Sequence, residues 1–338
     1  EHKMGIHGSP TCVMNFDAAK GYLVGELNQG IPHMFKLMNI ARLAIGTQGL
    51  GLGEVAYQNA VQYARERLQT RSLGGVKNPG GPADPIIVHA DVRRMLLTTR
   101  AYVEGCRAMS LWTAMQVDLA HRHSDPDQQR ESADLIDLIT PVYKAFATDM
   151  GYETATLCQQ VFGGHGYIQE TGVEQFVRDA RIAQIYEGTN GIQALDLVRR
   201  KLFIHDGRLP ELLFGKIDAF IAAQANNEAA AEFIVPLEQA LTRLRALTQW
   251  LLSISENNPD ELGAASTDYL RIFALTSLAW FWAQMGIKAG EAEPDGFNSS
   301  KLSTARFYFA RLLPQTVGLD AGVRSGAASI MQPDASSF

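Results

Sequence analysis

From Pro32 onward, apolar residues recur every three or four positions through long Ala-, Leu-, Gln- and Arg-rich segments. That is the spacing of one helix face. The pattern predicts a helix from about His33 to Leu68, a second from Ile86 to about His123, and a third from roughly Ser132 to Phe162. Ala155, Cys158 and Phe162 keep the spacing in the third. Shorter helices are predicted near Val173–Gln184 and Asn190–Phe203. "TRSLGGVKNPGGPADP", Thr70 to Pro85, reads as a loop, because its prolines and glycines would break any helix. "HSDPDQQ" and "GGHGY" read as further breaks. Beyond "HDGRLP" the pattern resumes, with Leu237, Leu241, Leu244, Leu247, Leu251 and Ile254 on one face until "SENNPDELG". Two more helices are predicted in "YLRIFALTSLAWFWAQMGIKAG" and "KLSTARFYFARLLPQTVGL". Residues 1–30 differ: "GSP" and "NQG" punctuate short apolar stretches, which reads as β-like and turn-rich. The expected protein is mainly α. An antiparallel helical bundle spans 31–205, a boundary falls near Asp206, and a helical extension covers 206–338.

Composition narrows the classes. Hydrophobic residues are 46% and charged residues 20%, ordinary for a globular protein. A net charge of −6 without a Lys/Arg-rich run argues against nucleic acid as a partner. Cys12, Cys106 and Cys158 are too scattered for a disulfide framework or a zinc site, which suits a reducing, cytoplasmic setting. No apolar run approaches the roughly 20 residues of a transmembrane segment. The opening "EHKMGIHGSPTC" starts without Met and lacks a signal-peptide pattern, so it reads as a sequence entered in mid-domain.

Several short stretches carry candidate chemistry. "IYEGTNGIQ", Ile185 to Gln193, sets Glu187 after two apolar residues and before a helix start, with Asn190 and Gln193 spaced as a capping box. A carboxylate there either answers the helix dipole or serves a reaction. "QQVFGGHGYIQE" places three glycines in four residues. They cap a helix, or they let backbone N–H groups approach an anion such as a pyrophosphate. Arg65, Arg67 and Arg71 cluster in "YARERLQTR", either against the dipole of a helix end or as a phosphate clamp. "QGLGLGE", Gln48 to Glu54, lacks the preceding strand of a dinucleotide fingerprint, so its glycines read as a close approach of two helices. "HRH", His121 to His123, has no acid or cysteine at ligand spacing, and no metal site is expected.

Taken in order, these pieces resemble the C-terminal half of the acyl-CoA dehydrogenase family. The resemblance is carried by "KMGIHGSPTC", "MNIARLAIGTQGLGLGEVAYQNAVQYARER", "QQVFGGHGYIQETGVEQFVRDARIAQ" and "IYEGTNGIQ", from Lys3 to about Leu202. The remainder, through "KLSTARFYFARLLPQT", is similar to the helical extension of long bacterial members such as the 3-methylmercaptopropionyl-CoA dehydrogenases. The resemblance implies a four-helix-bundle flavin domain at 31–205. It also implies a short remnant of a middle β domain at 1–30, so that the chain alone does not build a whole active site.

It further implies FAD-dependent α,β-dehydrogenation of an acyl-CoA thioester to the 2,3-enoyl-CoA, with Glu187 as the base that takes the α-proton. Some relatives carry the base on the first bundle helix, immediately before an Arg. Here Ala41 precedes Arg42, and alanine takes no proton. The resemblance assigns Arg67, Gln69, Gln160, Gly163, Gly164 and Thr189 to FAD, with Arg67, Gln69, Gln160 and Gly164 serving a flavin shared between subunits. It assigns Asn39, Arg42, Tyr186 and Gly188 to substrate. Asn39 stands where many relatives have Asp, and Gly191 stands where Gln is common. The loop from Ser72 to Pro85 is longer than the family turn. Implied partners are an electron-transferring flavoprotein and a second copy of the chain, in at least a dimer. Two other readings are an acyl-CoA oxidase-like flavoenzyme and a non-catalytic helical scaffold.

Overall fold

Local signals decide where the helices begin and end. A computed structural model describes residues 1–205, 207–254 and 258–337. Helix α1 (Gly30–Glu66) starts three residues earlier than the apolar spacing indicated, because Pro32 is tolerated in a first turn. Helix α2 (Ala90–Arg122) begins after a single 3₁₀ turn, Ile86–Val88. Helix α3 (Pro126–Val161) begins well before Ser132. Asp125 is its N-cap, its carboxylate accepting from Asp127 N at 3.0 Å, and Pro126 occupies the first helical position. "HSDPDQQ" therefore ends one helix and starts the next.

Helix α1 packs most extensively on α3, and glycine makes that approach possible. A Cβ on Gly49 would lie 2.6 Å from Ala147 O, one on Gly151 would lie 2.5 Å from Gly49 O, and one on Gly46 would strike the Tyr143 ring. The pairs Gly46–Tyr143, Gly49–Ala147 and Gly53–Thr154 advance together, so α1 and α3 run parallel. Glu54–Arg107 and Thr99–Cys158 place α2 antiparallel to both. Two short helices, α4 (Glu174–Arg181) and α5 (Asn190–Asp196), pack against α3, and a long helix of the extension (Pro259–Glu291) packs against α2 and α3. Gly49→Val should therefore cost several kcal/mol, because its neighbours are backbone atoms that cannot yield. Gly51, whose Cβ would meet nothing within 4 Å, should accept Ala with a gain of up to about 1 kcal/mol. Urea denaturation of the two variants checks both signs.

The extension comprises α6 (Arg208–Ala223), α7 (Ala231–Ile254), α8 (Pro259–Glu291), α9 (Gly296–Phe307), α10 (Gln315–Arg324) and a single turn, α11 (Ala328–Met331). The expected stripe of α7 is buried from Leu237 to Leu251, with Ile254 partly so. Of the stretch expected to separate α7 from α8, Ser255 to Asn257 lie outside the described residues. Asn258 then caps α8, its Oδ1 accepting from Asp260 N at 3.2 Å. Asp206, the expected boundary, also lies outside them. Helix α8 is long and apolar enough to cross a bilayer, yet 83% of its most apolar window is buried inside the protein, which makes it a core helix. One apolar cluster runs from Leu50 and Tyr102 of the bundle to Trp282 and Val323 of the extension. Trp282 Nε1 donates to Ala101 O at 3.0 Å, and Lys301 Nζ bonds Glu104 at 2.6 Å. Gly105 lets α8 approach, since a Cβ there would meet Trp282 Nε1 at 2.8 Å.

The β remnant expected at 1–30 does not form: no strand occurs among the described residues, and the segment is extended coil with turns. A strand needs a paired neighbour, and no described residue offers an edge. Val13, Phe16, Val24 and Leu27 are exposed. Only the start is tied down, where Asp179 Oδ1 accepts from Ile6 N at 2.6 Å and Arg178 Nη1 donates to Met4 O at 3.0 Å.

Candidate active site

Glu187 sits in a short loop between a 3₁₀ turn, Ile182–Gln184, and α5. Its φ of 59° is left-handed, a conformation that costs a non-glycine residue about 1–3 kcal/mol unless its surroundings hold it there. Gly188 follows at φ 83°. The surroundings do hold it. Arg42 Nε donates to Glu187 O at 3.3 Å, and Lys144 Nζ donates to Gly188 O at 2.8 Å and to Asn190 Oδ1 at 2.9 Å. Gln193 Nε2 makes longer contacts, 3.5 Å and 3.4 Å, with the carbonyls of Glu187 and Gly188. Asn190 Nδ2 reaches into α3, donating to Ala145 O at 3.1 Å and Asp149 Oδ1 at 2.7 Å. Tyr186 is fixed by a bond from its phenol to Gln48 Oε1.

Every one of these restraints on Glu187 and Gly188 grips main chain. The Glu187 carboxylate itself is left over: Oε2 is buried and has no hydrogen-bond partner among the described residues. A buried carboxylate oxygen without a hydrogen bond, on a strained residue, is a cost to the fold that no hydrogen bond of its own offsets. It fits a group kept available for reaction.

The expected capping box is replaced. Thr189 is the N-cap of α5, its Oγ1 accepting from Ile192 N at 3.3 Å, while Asn190 and Gln193 turn inward to hold the loop. Thr189 can still donate its hydroxyl proton. Asn39, one turn before Arg42 on α1, is exposed, and among the described residues it makes no side-chain bond and is not joined to the Glu187 loop.

Arg67, Gln69, Gln160, Gly163 and Gly164 do come together, lining one cleft of ≈ 340 Å³. Arg67 leaves α1 in an extended conformation, and its Nη2 donates to Gln69 Oε1 at 3.3 Å. Tyr63 stacks on Phe162 at 4.2 Å on the cleft's wall. Gly163 has φ 58°, and a Cβ on Gly163 or Gly164 would meet nothing within 4 Å. Both glycines thus leave the cleft open where side chains would narrow it. Arg67 lies 25 residues beyond Arg42 on one continuous helix, or roughly 37 Å. The cleft and the Glu187 loop are therefore separate stations.

The long loop has a structural role. The buried Asp84 carboxylate accepts from Ser72 N at 2.9 Å, Lys77 N at 2.9 Å and Asn78 N at 2.6 Å, and pairs with Arg71 at 3.3 Å. Asp84 O also accepts from Gln69 N at 3.0 Å, so the loop seats Gln69 in the cleft. The Ser72 N–H leads these bonds in pulling the Asp84 carboxyl down to about 2. A depressed carboxylate stabilises above its unfolded pKa of 3.8 and loses that contribution as pH falls through about 2. At neutral pH, Asp84→Asn should open residues 72–85 to protease without changing overall helix content. Limited trypsin digestion with circular dichroism checks it.

Lys144, Gln48 and Asn190 were not legible as site residues. The signal available for Lys144 was a cation inside the apolar run "PVYKAF". His121 is exposed and His123 partly buried, and no group of three or more His, Cys, Asp or Glu among the described residues could hold a metal.

Residues 28–202 match the family described as "Acyl-CoA dehydrogenase, C-terminal domain", and residues 213–334 match "Acetyl-CoA dehydrogenase C-terminal like". The chain is 40% identical to a 3-methylmercaptopropionyl-CoA dehydrogenase of Ruegeria pomeroyi, over 93% of this chain and 53% of that protein. It is 32% identical to a broad-specificity linear acyl-CoA dehydrogenase of Mycobacterium tuberculosis, over 100% of this chain and 58% of that one. The chain thus spans between half and two thirds of those relatives. Its fold is similar to that of an acyl-CoA dehydrogenase complexed with FAD from Bacillus anthracis, with TM-score 0.70, 19% identity and coverage of 88% of this chain and 51% of the other. It is also similar to acyl-CoA oxidase1 from Yarrowia lipolytica, with TM-score 0.59, 16% identity and coverage of 86% and 45%.

Proposed function

The chain belongs to the acyl-CoA dehydrogenase family, and from that premise we propose that it forms the helical part of an enzyme that dehydrogenates acyl-CoA thioesters to 2,3-enoyl-CoA. In this reading 31–205 is the flavin and acyl-CoA domain and 206–338 is a helical extension. The observation that carries it is the Glu187 carboxylate, held on a left-handed residue with a buried oxygen left unpaired.

The residues present fit FAD. Arg67 offers a guanidinium that matches phosphate oxygens, Gln69 and Gln160 offer amides, and Gly163 and Gly164 leave their backbone open to the cleft. Bound FAD would supply a two-electron acceptor for the β-hydrogen. The chain's own residues do the rest. Glu187 takes the α-proton, and its mostly buried setting keeps water from competing. Arg42, Lys144 and Gln193 fix the loop, so the carboxylate does not have to be ordered at the moment of reaction. Backbone N–H groups beside Glu187 are available to the developing enolate oxygen. Tyr186, Gly188, Arg42 and Asn39 are assigned to acyl-CoA, and Thr189 to the enzyme's own flavin.

The separation of roughly 37 Å between Arg42 and Arg67 supports a shared arrangement, in which one chain's cleft receives a flavin seated on another. The assembly is then at least a homodimer, working in the cytoplasm with an electron-transferring flavoprotein as acceptor. An acyl-CoA panel assayed on the enzyme with its upstream region and a dye acceptor tests the activity. Admission of air after anaerobic reduction separates dehydrogenase from oxidase, since an oxidase reoxidises at once and forms peroxide. Failure to bind FAD would leave only the scaffold reading.

A further inference from the structure

A larger cleft, ≈ 870 Å³, lies between the first turns of α2, the last third of α3 and the end of α9. It shares no lining residue with the cleft around Arg67 and does not involve Glu187. Its walls are of two kinds. Leu97, Leu157, Phe307 and Leu312 supply apolar surface, and Arg93, Arg94 and Arg311 supply guanidinium groups.

The charges do not cancel. Asp91 is taken by Arg94 at 2.8 Å, and Glu153 faces Arg271 at 3.6 Å. Arg93 and Arg311 then have no ion-pair or side-chain hydrogen-bond partner among the described residues. One stands on the bundle and the other on the extension, so the fold brings two uncompensated cations to one cleft in a chain of net charge −6. An anion entering the cleft therefore meets two guanidinium groups that no described carboxylate already holds. The π-helical turn Tyr308–Leu312 that continues α9 carries both Arg311 and Leu312. Such a turn admits an extra residue and is frequent where a helix serves a site.

We propose that this cleft binds an anionic amphiphile, an alkyl chain ending in a carboxylate or phosphate. The head pairs with Arg93 and Arg311, and the chain lies on Leu97, Leu157, Phe307 and Leu312. A volume of this size suits a whole small ligand rather than an ion. The site is distinct from the proposed active site, and the inference does not rest on the acyl-CoA reading.

Titration calorimetry of the whole chain with decanoate, decyl phosphate and 1-decanol tests it, each below its micellar concentration. Decanoate or decyl phosphate should bind, and comparison of the two shows which head the guanidinium groups prefer. 1-Decanol should bind at least tenfold more weakly. Each of Arg93→Met and Arg311→Met should weaken the anions about tenfold. Both arginines are exposed and unpaired, so the variants should fold, and circular dichroism verifies that. Shortening the chain should cost two- to fourfold per CH₂. Equal binding of 1-decanol, undiminished binding by the Arg93→Met/Arg311→Met double variant, or no binding of either anion would each overturn the proposal. So would displacement of decanoate by stoichiometric ADP, which would make the cleft a nucleotide site.

Discussion

Glu187→Gln should leave the enzyme folded and loaded with flavin while its turnover falls by about 10²–10⁴-fold. The structure says why the two effects should separate. The hydrogen bonds that shape the loop from Arg42, Lys144 and Gln193 end on main-chain carbonyls or on Asn190, and none ends on the Glu187 carboxylate. Glutamine keeps the length and shape of the side chain and can adopt the same left-handed backbone. Replacing an oxygen that has no partner removes no native bond. What disappears is the capacity to accept a proton. The measurement is kcat with an acyl-CoA and a dye acceptor, beside the flavin absorbance and the denaturation midpoint, on the enzyme with its upstream region. A variant that keeps near-normal turnover would show that another group takes the proton. A variant that loses flavin or stability along with turnover would show the carboxylate to be structural.

How much of this was legible depended on how local the cause was. Helices α1 to α3 follow from apolar periodicity, and the close crossing of α1 on α3 was visible in "QGLGLGE" because glycine leaves its mark in sequence. The start of α3 was misplaced, since Asp125–Pro126 looks like a breaker until its capping role is considered. Residues 1–30 have a strand-like composition, but a strand exists only with a partner, and pairing cannot be read from one segment. At the site, Glu187 stood out through its neighbours in sequence. Lys144 did not, because the carbonyl it holds is 44 positions away and the contact arises from folding alone. The same is true of Asp84, whose role emerges only when the loop closes on its carboxylate.

Lys144→Met should weaken the loop and change how stability depends on pH. The side chain of Lys144 is fully buried, and burial, partly opposed by the Asp149 charge, pulls its ammonium down from 10.5 to about 8. Between those values the unfolded chain holds the proton and the folded one does not, so protonation favours unfolding. Stability conferred by this residue is therefore lowest below pH 8 and rises as pH climbs toward 10.5. Over pH 7.5 to 9.5 the expected rise is about 2 kcal/mol. Methionine removes that slope. It also strips the donor from Gly188 O and Asn190 Oδ1, each worth about 1–3 kcal/mol when buried and unmatched. Near pH 7 the relief of burying a charge offsets much of this loss, and the variant should come close to the native protein. At pH 9.5 the relief has gone, and the variant should be less stable by about 2–4 kcal/mol. Urea denaturation of both proteins at pH 7, 8, 9 and 9.5 reads the difference. In the catalytically complete enzyme the freed Gly188 carbonyl should let Glu187 drift, with a loss of about 10²-fold in kcat at unchanged flavin content. Parallel stability curves for the two proteins across pH 8 to 9.5, or an unchanged kcat, would mean that Arg42 and Gln193 hold the loop without Lys144.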